Sequence, residues 1–233
     1  MKIGVLTGSV LPPLLEAGEV METDLGAPSS PVFKLEEGSA SYHLIARHGI
    51  PPGIPPHMVN HRANVRALKV LGVDAVISIC SSGALRPGIP VPTLAVPEDF
   101  IDLTRVQTFF DDTIHHATPV LDEKLRRGLS LAAREADMPF REGGVYIQTM
   151  GPRLETKAEV RMLSNFGDYV GMNFASEAGL CIEAELPVAG LITVDNYAHG
   201  VADETLDFRD ILTDARSRWE TVRGILARLP GSL

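Results

Sequence analysis

Asp74-Ala75-Val76-Ile77-Ser78-Ile79-Cys80-Ser81-Ser82-Gly83 is a run of apolar, largely β-branched residues that stops in three small ones. A short continuous apolar run bounded by turn-forming residues reads as a strand buried on both faces. Working outward, the pattern recurs. Ile3-Gly4-Val5-Leu6 stops at Thr7-Gly8-Ser9, residues 41–46 stop at Arg47-His48-Gly49, and residues 188–194 stop at Asp195-Asn196. Shorter strands are read over 91–96, 144–149 and 169–172. Between them, apolar residues fall at helical spacing over 59–71, 121–136, 155–166 and 176–186, with one or two closing helices over 205–229. Strands alternating with helices imply an α/β domain whose parallel or mixed sheet is covered on both faces. In such sheets, sites gather at the carboxyl ends of strands, which is where the small and polar residues lie here.

Composition narrows the classes. The chain has 233 residues, 45% of them hydrophobic, with no linker-like stretch to divide it, so residues 1–233 are read as a single domain. A net charge of −9 argues against a nucleic-acid partner or an anionic membrane surface. Cys80 and Cys181 are too few and too far apart for a disulfide framework or a metal knuckle. No run is long enough to span a bilayer, and the first residues lack a signal-peptide pattern, so a reducing cytoplasm is the expected location.

Three strand ends are rich in donors. Thr7-Gly8-Ser9 offers backbone N–H groups and hydroxyls to an anion, or is a plain strand-to-loop turn. It is neither a P-loop nor a three-glycine dinucleotide loop. Arg47 carries a planar donor fork suited to phosphate, or makes a surface ion pair. Ser81-Ser82-Gly83 supplies further donors, or another tight turn. Asn196, after an apolar strand, could both donate to and accept from a heterocycle edge, or close an Asx turn. Gly151-Pro152 marks a tight loop that delivers Glu155 to the start of a helix, facing a pocket or merely complementing the helix dipole. His57 and His61 lack the glutamate of a zincin helix, and neighbouring His115 and His116 tend to point apart, so no metal site is expected. No Gly-x-Ser-x-Gly elbow supports a serine nucleophile.

In their order along the chain these pieces resemble the trimeric purine nucleoside phosphorylase and methylthioadenosine phosphorylase family. The likeness runs from the first strand to about residue 200. It rests on Arg47-His48-Gly49, Pro56-His57-Met58-Val59-Asn60-His61-Arg62-Ala63-Asn64, Phe100-Ile101-Asp102-Leu103-Thr104, Gly151-Pro152-Arg153-Leu154-Glu155-Thr156-Lys157-Ala158-Glu159 and Val170-Gly171-Met172. The resemblance implies a single-domain nucleoside phosphorylase fold with a central twisted mixed sheet flanked by helices. It further implies phosphate-dependent cleavage of a nucleoside, with inorganic phosphate as co-substrate and no cofactor. The expected assembly is a homotrimer, possibly paired into a dimer of trimers.

Carried over by motif, Ser9, Arg47, His48, Ser81 and Asn173 are the expected phosphate ligands. Ser82, Gly83, Leu154, Glu155, Met172 and Asn196 are expected around base and ribose, with His116 (or His115) reaching a neighbouring subunit's 5′ pocket. Asn196, Arg47 and His48 carry the expected catalytic roles. Family members acting on 6-oxopurines have Glu and Asn at the positions of Glu155 and Asn196; those acting on methylthioadenosine have a small hydroxyl residue and Asp. An ionised carboxylate only accepts, so it takes N1–H of a 6-oxopurine and opposes N1 of adenine. The departures are Thr7 and Val10 where the family's first loop has glycines, Asn173 where it has Ser or Thr, and Ser176 where it has proline. The expected reaction is phosphorolysis of methylthioinosine, inosine or guanosine, with methylthioadenosine phosphorolysis, hydrolysis and non-catalytic nucleoside binding as rivals.

Overall fold

The structure, a computed structural model, describes residues 1–233 apart from 14, 16, 17, 204–207 and 233. Ten strands and six α-helices alternate along the described residues. The strands are β1 (Lys2–Thr7), β2 (Phe33–Glu37), β3 (Ala40–Ala46), β4 (Ala75–Ala84), β5 (Thr93–Val96), β6 (Asp99–Asp102), β7 (Phe140–Glu142), β8 (Val145–Gln148), β9 (Tyr169–Gly171) and β10 (Val188–Tyr197). The helices are α1 (His61–Val70), α2 (Glu123–Arg134), α3 (Lys157–Leu163), α4 (Phe174–Glu183), α5 (Phe208–Ser217) and α6 (Trp219–Ser232). The expected start of the closing helices, 205–207, lies outside the described residues.

The sheet is mixed, in the order β2-β3-β1-β4-β10-β5-β7, with a branch β6-β8-β9 that joins at β4. β3, β1, β4 and β10 run parallel at its centre. Period-two alternation explains the two faces. Ile77 and Ile79 of β4 join Ile3, Val5 and Leu44 under α2 and α6, while Val76 and Cys80 turn to the other face with Leu6, Ile45, Val65, Leu68 and Ala178. Gly4 keeps α1 close, because a Cβ there would meet Leu68 Cδ1 at 2.8 Å. Asn60 caps α1 through Ala63 N–H, and Thr156 with Glu159 forms a reciprocal capping box on α3.

Two expectations are corrected here. Ser81-Ser82-Gly83 is not a turn but the last part of β4. It stays extended because β10 pairs along one side, and β9 runs antiparallel to Gly83 and Ala84 on the other. β10 likewise continues through Asn196 to Tyr197, so Asn196 sits on a strand and not in an Asx turn. The β4–β10 register shifts between Val194 and Asn196, which leaves Asp195 unopposed. A bulge of this kind re-aims the neighbouring side chains. Edge strands β2 and β7 have no counterpart in the sequence reading, because both are short and half polar.

Candidate active site

The carboxyl ends of β1, β3, β4, β9 and β10 open onto one cavity of about 590 Å³. Ser9, His48, Ser81, Ser82, Gly83, Leu154, Glu155, Met172, Asn173 and Asn196 all line it. Residues from separate sequence blocks therefore converge on a single volume. Two expected site residues do not line it. Arg47 lies behind the wall, 1% exposed, and His116 sits exposed on the long segment between β6 and α2.

Arg47 corrects the picture of a free donor fork. Its Nε donates to Glu177 Oε1 at 2.6 Å and its Nη2 to Glu177 Oε2 at 2.8 Å. Nη2 also donates to Leu6 O at 2.8 Å, and Nη1 to Ile79 O at 2.9 Å. Nη2 also lies 3.4 Å from Ser78 Oγ, and the Cys80 thiol is a further hydrogen-bond partner of the guanidinium. Nη1 lies under Gly8, where an added Cβ would be 2.8 Å from it, so it is the nitrogen of the fork that comes up beneath this cavity-lining glycine. Glu177 is completely buried and also accepts from the Ser78 hydroxyl at 2.5 Å, with His61 Nδ1 at 3.5 Å. Burial works against its charge, yet the guanidinium beside it wins and holds the carboxyl down at about 2.

Thr7 is spent within its own loop, donating its hydroxyl to Val10 O, which leaves Gly8 and Ser9 as the lining residues of that turn. His48 is clamped by the proline-rich loop that follows it. Its backbone oxygen accepts from Gly53 N (2.8 Å) and Ile54 N (2.9 Å), and its ring Nδ1 lies 2.8 Å from Ile54 O. Burial first, and Arg47 second, push this imidazole down to about 4. The sign of the consequence follows. From pH 6.5 down to about 4 the unfolded chain binds a proton here that the folded chain refuses, so stability falls with acidity by up to about 3 kcal/mol. Glu177 adds a loss in the same direction between 4.5 and about 2. Thermal melts from pH 8 to 4.5 should descend steadily, and His48→Asn should flatten that descent.

At the other end of the cavity, Glu155 is 8% exposed and one carboxylate oxygen accepts the Thr149 hydroxyl. The second oxygen is left for a ligand. Asn196 Nδ2 donates to Tyr197 O at 2.8 Å, which turns Oδ1 away as a free acceptor. The hydroxyl of Ser82 and Oδ1 of Asn173, both buried in the cavity wall, have no partner among the described residues. Unpaired buried polar atoms are costly, so such a wall suits a polar occupant. Gly151 has a steric cause: a Cβ there would lie 2.5 Å from Met172 Sδ. The turn thus lets the Met172 side chain lie across it. Behind the wall, burial lifts the Asp195 carboxyl above its usual range, against the Thr193 hydroxyl at 2.7 Å and Arg218 at 3.4 Å.

Sequence reasoning missed several contributors. Glu177 was legible in principle, through Ser78, a hydroxyl inside an otherwise apolar strand. His199 lines the cavity with Nδ1 3.2 Å from Glu155 O, and Leu11, Ile211, Leu212 and Arg216 close another side, with no signal except apolar spacing on α5. Among the described residues no cluster of three or more metal-ligating side chains occurs, and no helix is long and apolar enough to cross a membrane.

Comparison with known proteins agrees with this geometry. A relative from Archaeoglobus fulgidus, named as a probable 6-oxopurine nucleoside phosphorylase, is 40% identical over 92% of this chain and 89% of its own length. A probable S-methyl-5′-thioinosine phosphorylase from Pseudomonas syringae pv. tomato is 36% identical over 90% and 88%. Among solved structures, a methylthioadenosine phosphorylase from Schistosoma mansoni in complex with adenine superimposes with a TM-score of 0.88 at 25% identity, covering 99% of this chain and 91% of that one. The family model described as the phosphorylase superfamily matches residues 2–229, and the chain belongs to that family.

Proposed function

We propose that this enzyme, a pentosyltransferase, cleaves 6-oxopurine nucleosides with inorganic phosphate, yielding free base and a ribose 1-phosphate. One observation carries the reading: an acceptor carboxylate (Glu155) and a free amide oxygen (Asn196) share a cavity with the donor-rich ends of β1, β3 and β4. Phosphate sits against Ser9, His48 and Ser81, with Arg47 Nη1 beneath Gly8 and Asn173 alongside. Met172, Ser82 and Gly83 face the ribose, and Leu154 flanks the base.

In the reaction a phosphate oxygen attacks C1′ as the C1′–N9 bond breaks, and the bonding electrons leave with the base. The sugar passes through a cationic state, which the anion below stabilises. The base leaves with the bonding pair as an anion and takes up a proton from water at N7, where Asn196 Oδ1 accepts the N7–H, while Glu155 accepts N1–H. Phosphate is the co-substrate, and the steps call on no metal or organic cofactor.

The wall formed by Leu11, Ile54, Pro55, Pro56, Ile211 and Leu212 is apolar. It favours a methylthio group over a hydroxyl at the 5′ position, since an apolar wall leaves a hydroxyl unpaired. A trimer is the assembly this reading expects. Leu103, Val106, Ile114 and Val120, between β6 and α2, are more than half exposed, in keeping with a subunit contact that brings this segment to a neighbour's site. His115 stacks on Phe110 at 3.9 Å, so of the two histidines His116 is the freer to reach across.

Purified protein assayed with inosine, guanosine, methylthioinosine and methylthioadenosine, with and without phosphate, should turn over the three 6-oxopurines only with phosphate, methylthioinosine best. Faster cleavage of methylthioadenosine, or cleavage independent of phosphate, overturns the reading.

A further inference from the structure

The ring of His48 has a fixed tautomer. Ile54 O can only accept, so Nδ1 must carry the hydrogen in the 2.8 Å contact, and in the neutral ring Nε2 is a bare lone pair. Two backbone bonds from Gly53 and Ile54 to His48 O hold the residue in place, so the ring cannot flip without breaking the clamp. Nε2 lies 3.0 Å from where a Cβ on Gly8 would stand, on the wall shared with Ser9. The expected phosphate pocket therefore presents an acceptor nitrogen among its donors, beside the unpaired Oδ1 of Asn173.

We infer that His48 Nε2 accepts the P–OH hydrogen of hydrogenphosphate, and that this acceptor selects phosphate over anions of like charge and shape that carry no hydrogen. The inference rests on the phosphate site of the proposed function and names which form of the anion it takes. Hydrogenphosphate dianion has one O–H to give. Sulfate has none, and an oxygen of sulfate placed there meets the lone pair of Nε2 head-on.

The charges around the ring support the acceptor role. Arg47 precedes it at the end of β3, Glu177 faces it from α4 and His61 from α1. Arg47 and Glu177 neutralise each other, and the other charged residues of the wall are Arg216 and Glu155, of opposite sign, so Coulomb attraction alone does not single out one anion. Burial and Arg47 keep the imidazole unprotonated well below neutral pH. Hydrogen-bond matching then decides which anion stays, with the P–OH oriented to His48 and the unprotonated oxygens left toward the sugar.

The test compares three anions by calorimetry at pH 8: phosphate, sulfate and monofluorophosphate, the last a dianion of phosphate's shape in which fluorine replaces the hydroxyl. Wild-type protein should bind phosphate about tenfold or more tighter than either of the others, the usual cost of an unmet buried acceptor. His48→Asn keeps a donor for Ile54 O but ends short of the Nε2 position, and His48→Gln offers an amide that can turn its NH2 to the anion. Both should weaken phosphate while sulfate holds or tightens, so the ratio collapses. Equal binding of the three anions by wild-type protein overturns the inference without any variant, as does an equal loss of phosphate and sulfate in both variants. Neither result touches phosphorolysis itself, which the nucleoside assay decides separately.

Discussion

The double substitution Glu155→Ser with Asn196→Asp should lower kcat/KM for methylthioinosine and inosine by about a hundredfold or more, since two hydrogen bonds to charged or charge-developing groups are worth about 1.5–3 kcal/mol each. The two positions act on different atoms. Glu155 has one oxygen satisfied by Thr149, so its other oxygen is a fixed acceptor aimed into the cavity. A serine there leaves N1–H without a charged partner. Asn196 has its donor tied to Tyr197 O, so in the proposed reaction its oxygen is the atom that accepts N7–H as the base leaves. An aspartate would accept more strongly, yet its second oxygen would face Tyr197 O where an N–H now sits, and like oxygens repel. The loss should appear mainly in kcat for the N7 contact, because that hydrogen bond strengthens in the transition state. Steady-state kinetics on both nucleosides, with methylthioadenosine as the comparison, measure it. Unchanged inosine kinetics would remove both residues from the base site.

The second large effect concerns the core. Glu177→Ala should destabilise the protein by about 3–5 kcal/mol, because it strands the guanidinium of Arg47 in a dry interior with the two N–H bonds to Glu177 unmet. For a chain of this size that corresponds to a fall in Tm of about 6–20 °C. Glu177→Gln, which keeps the hydrogen-bonding shape and loses the charge, should cost less. The paired change Arg47→Met with Glu177→Leu should recover much of the stability, since removing a whole buried ion pair is far cheaper than removing half of it. Activity should not return with it, because the guanidinium under Gly8 goes too. Melts and phosphorolysis on the three variants separate stability from chemistry. A stable, fully active protein carrying the paired change would show that Arg47 serves the core alone.

The same residue shows why a motif can be read correctly and its geometry misjudged. Arg47 at a strand end is legible as a special position, since a charged residue closing an apolar run needs a partner. The partner is 130 residues away in sequence, on α4, and the ion pair is buried rather than on the surface. Glu177 stands out as a charge among the buried apolar residues Phe174, Ala175, Ala178, Leu180 and Cys181 of α4, yet nothing nearby in sequence says which cation it meets. Ser81-Ser82-Gly83 misleads for a related reason. Small polar residues look like a turn when taken alone, yet strands β9 and β10 on either side keep them extended, and smallness there makes room for Ala198 (3.4 Å from a Cβ on Gly83).

Local chemistry in the chain was enough to settle the class of fold and the strand ends where a site would form, because apolar period and turn chemistry act over a few neighbours; ten of the residues around the cavity came from the motifs of the family resemblance. Long-range placement did the rest. How the Arg47 guanidinium is tied down, which nitrogen of His48 is bare and which way Asn196 Oδ1 turns are set by Glu177, Ile54 O and Tyr197 O. Those partners exist only once the sheet has closed, since a hydrogen bond's direction depends on where two distant backbones come to lie.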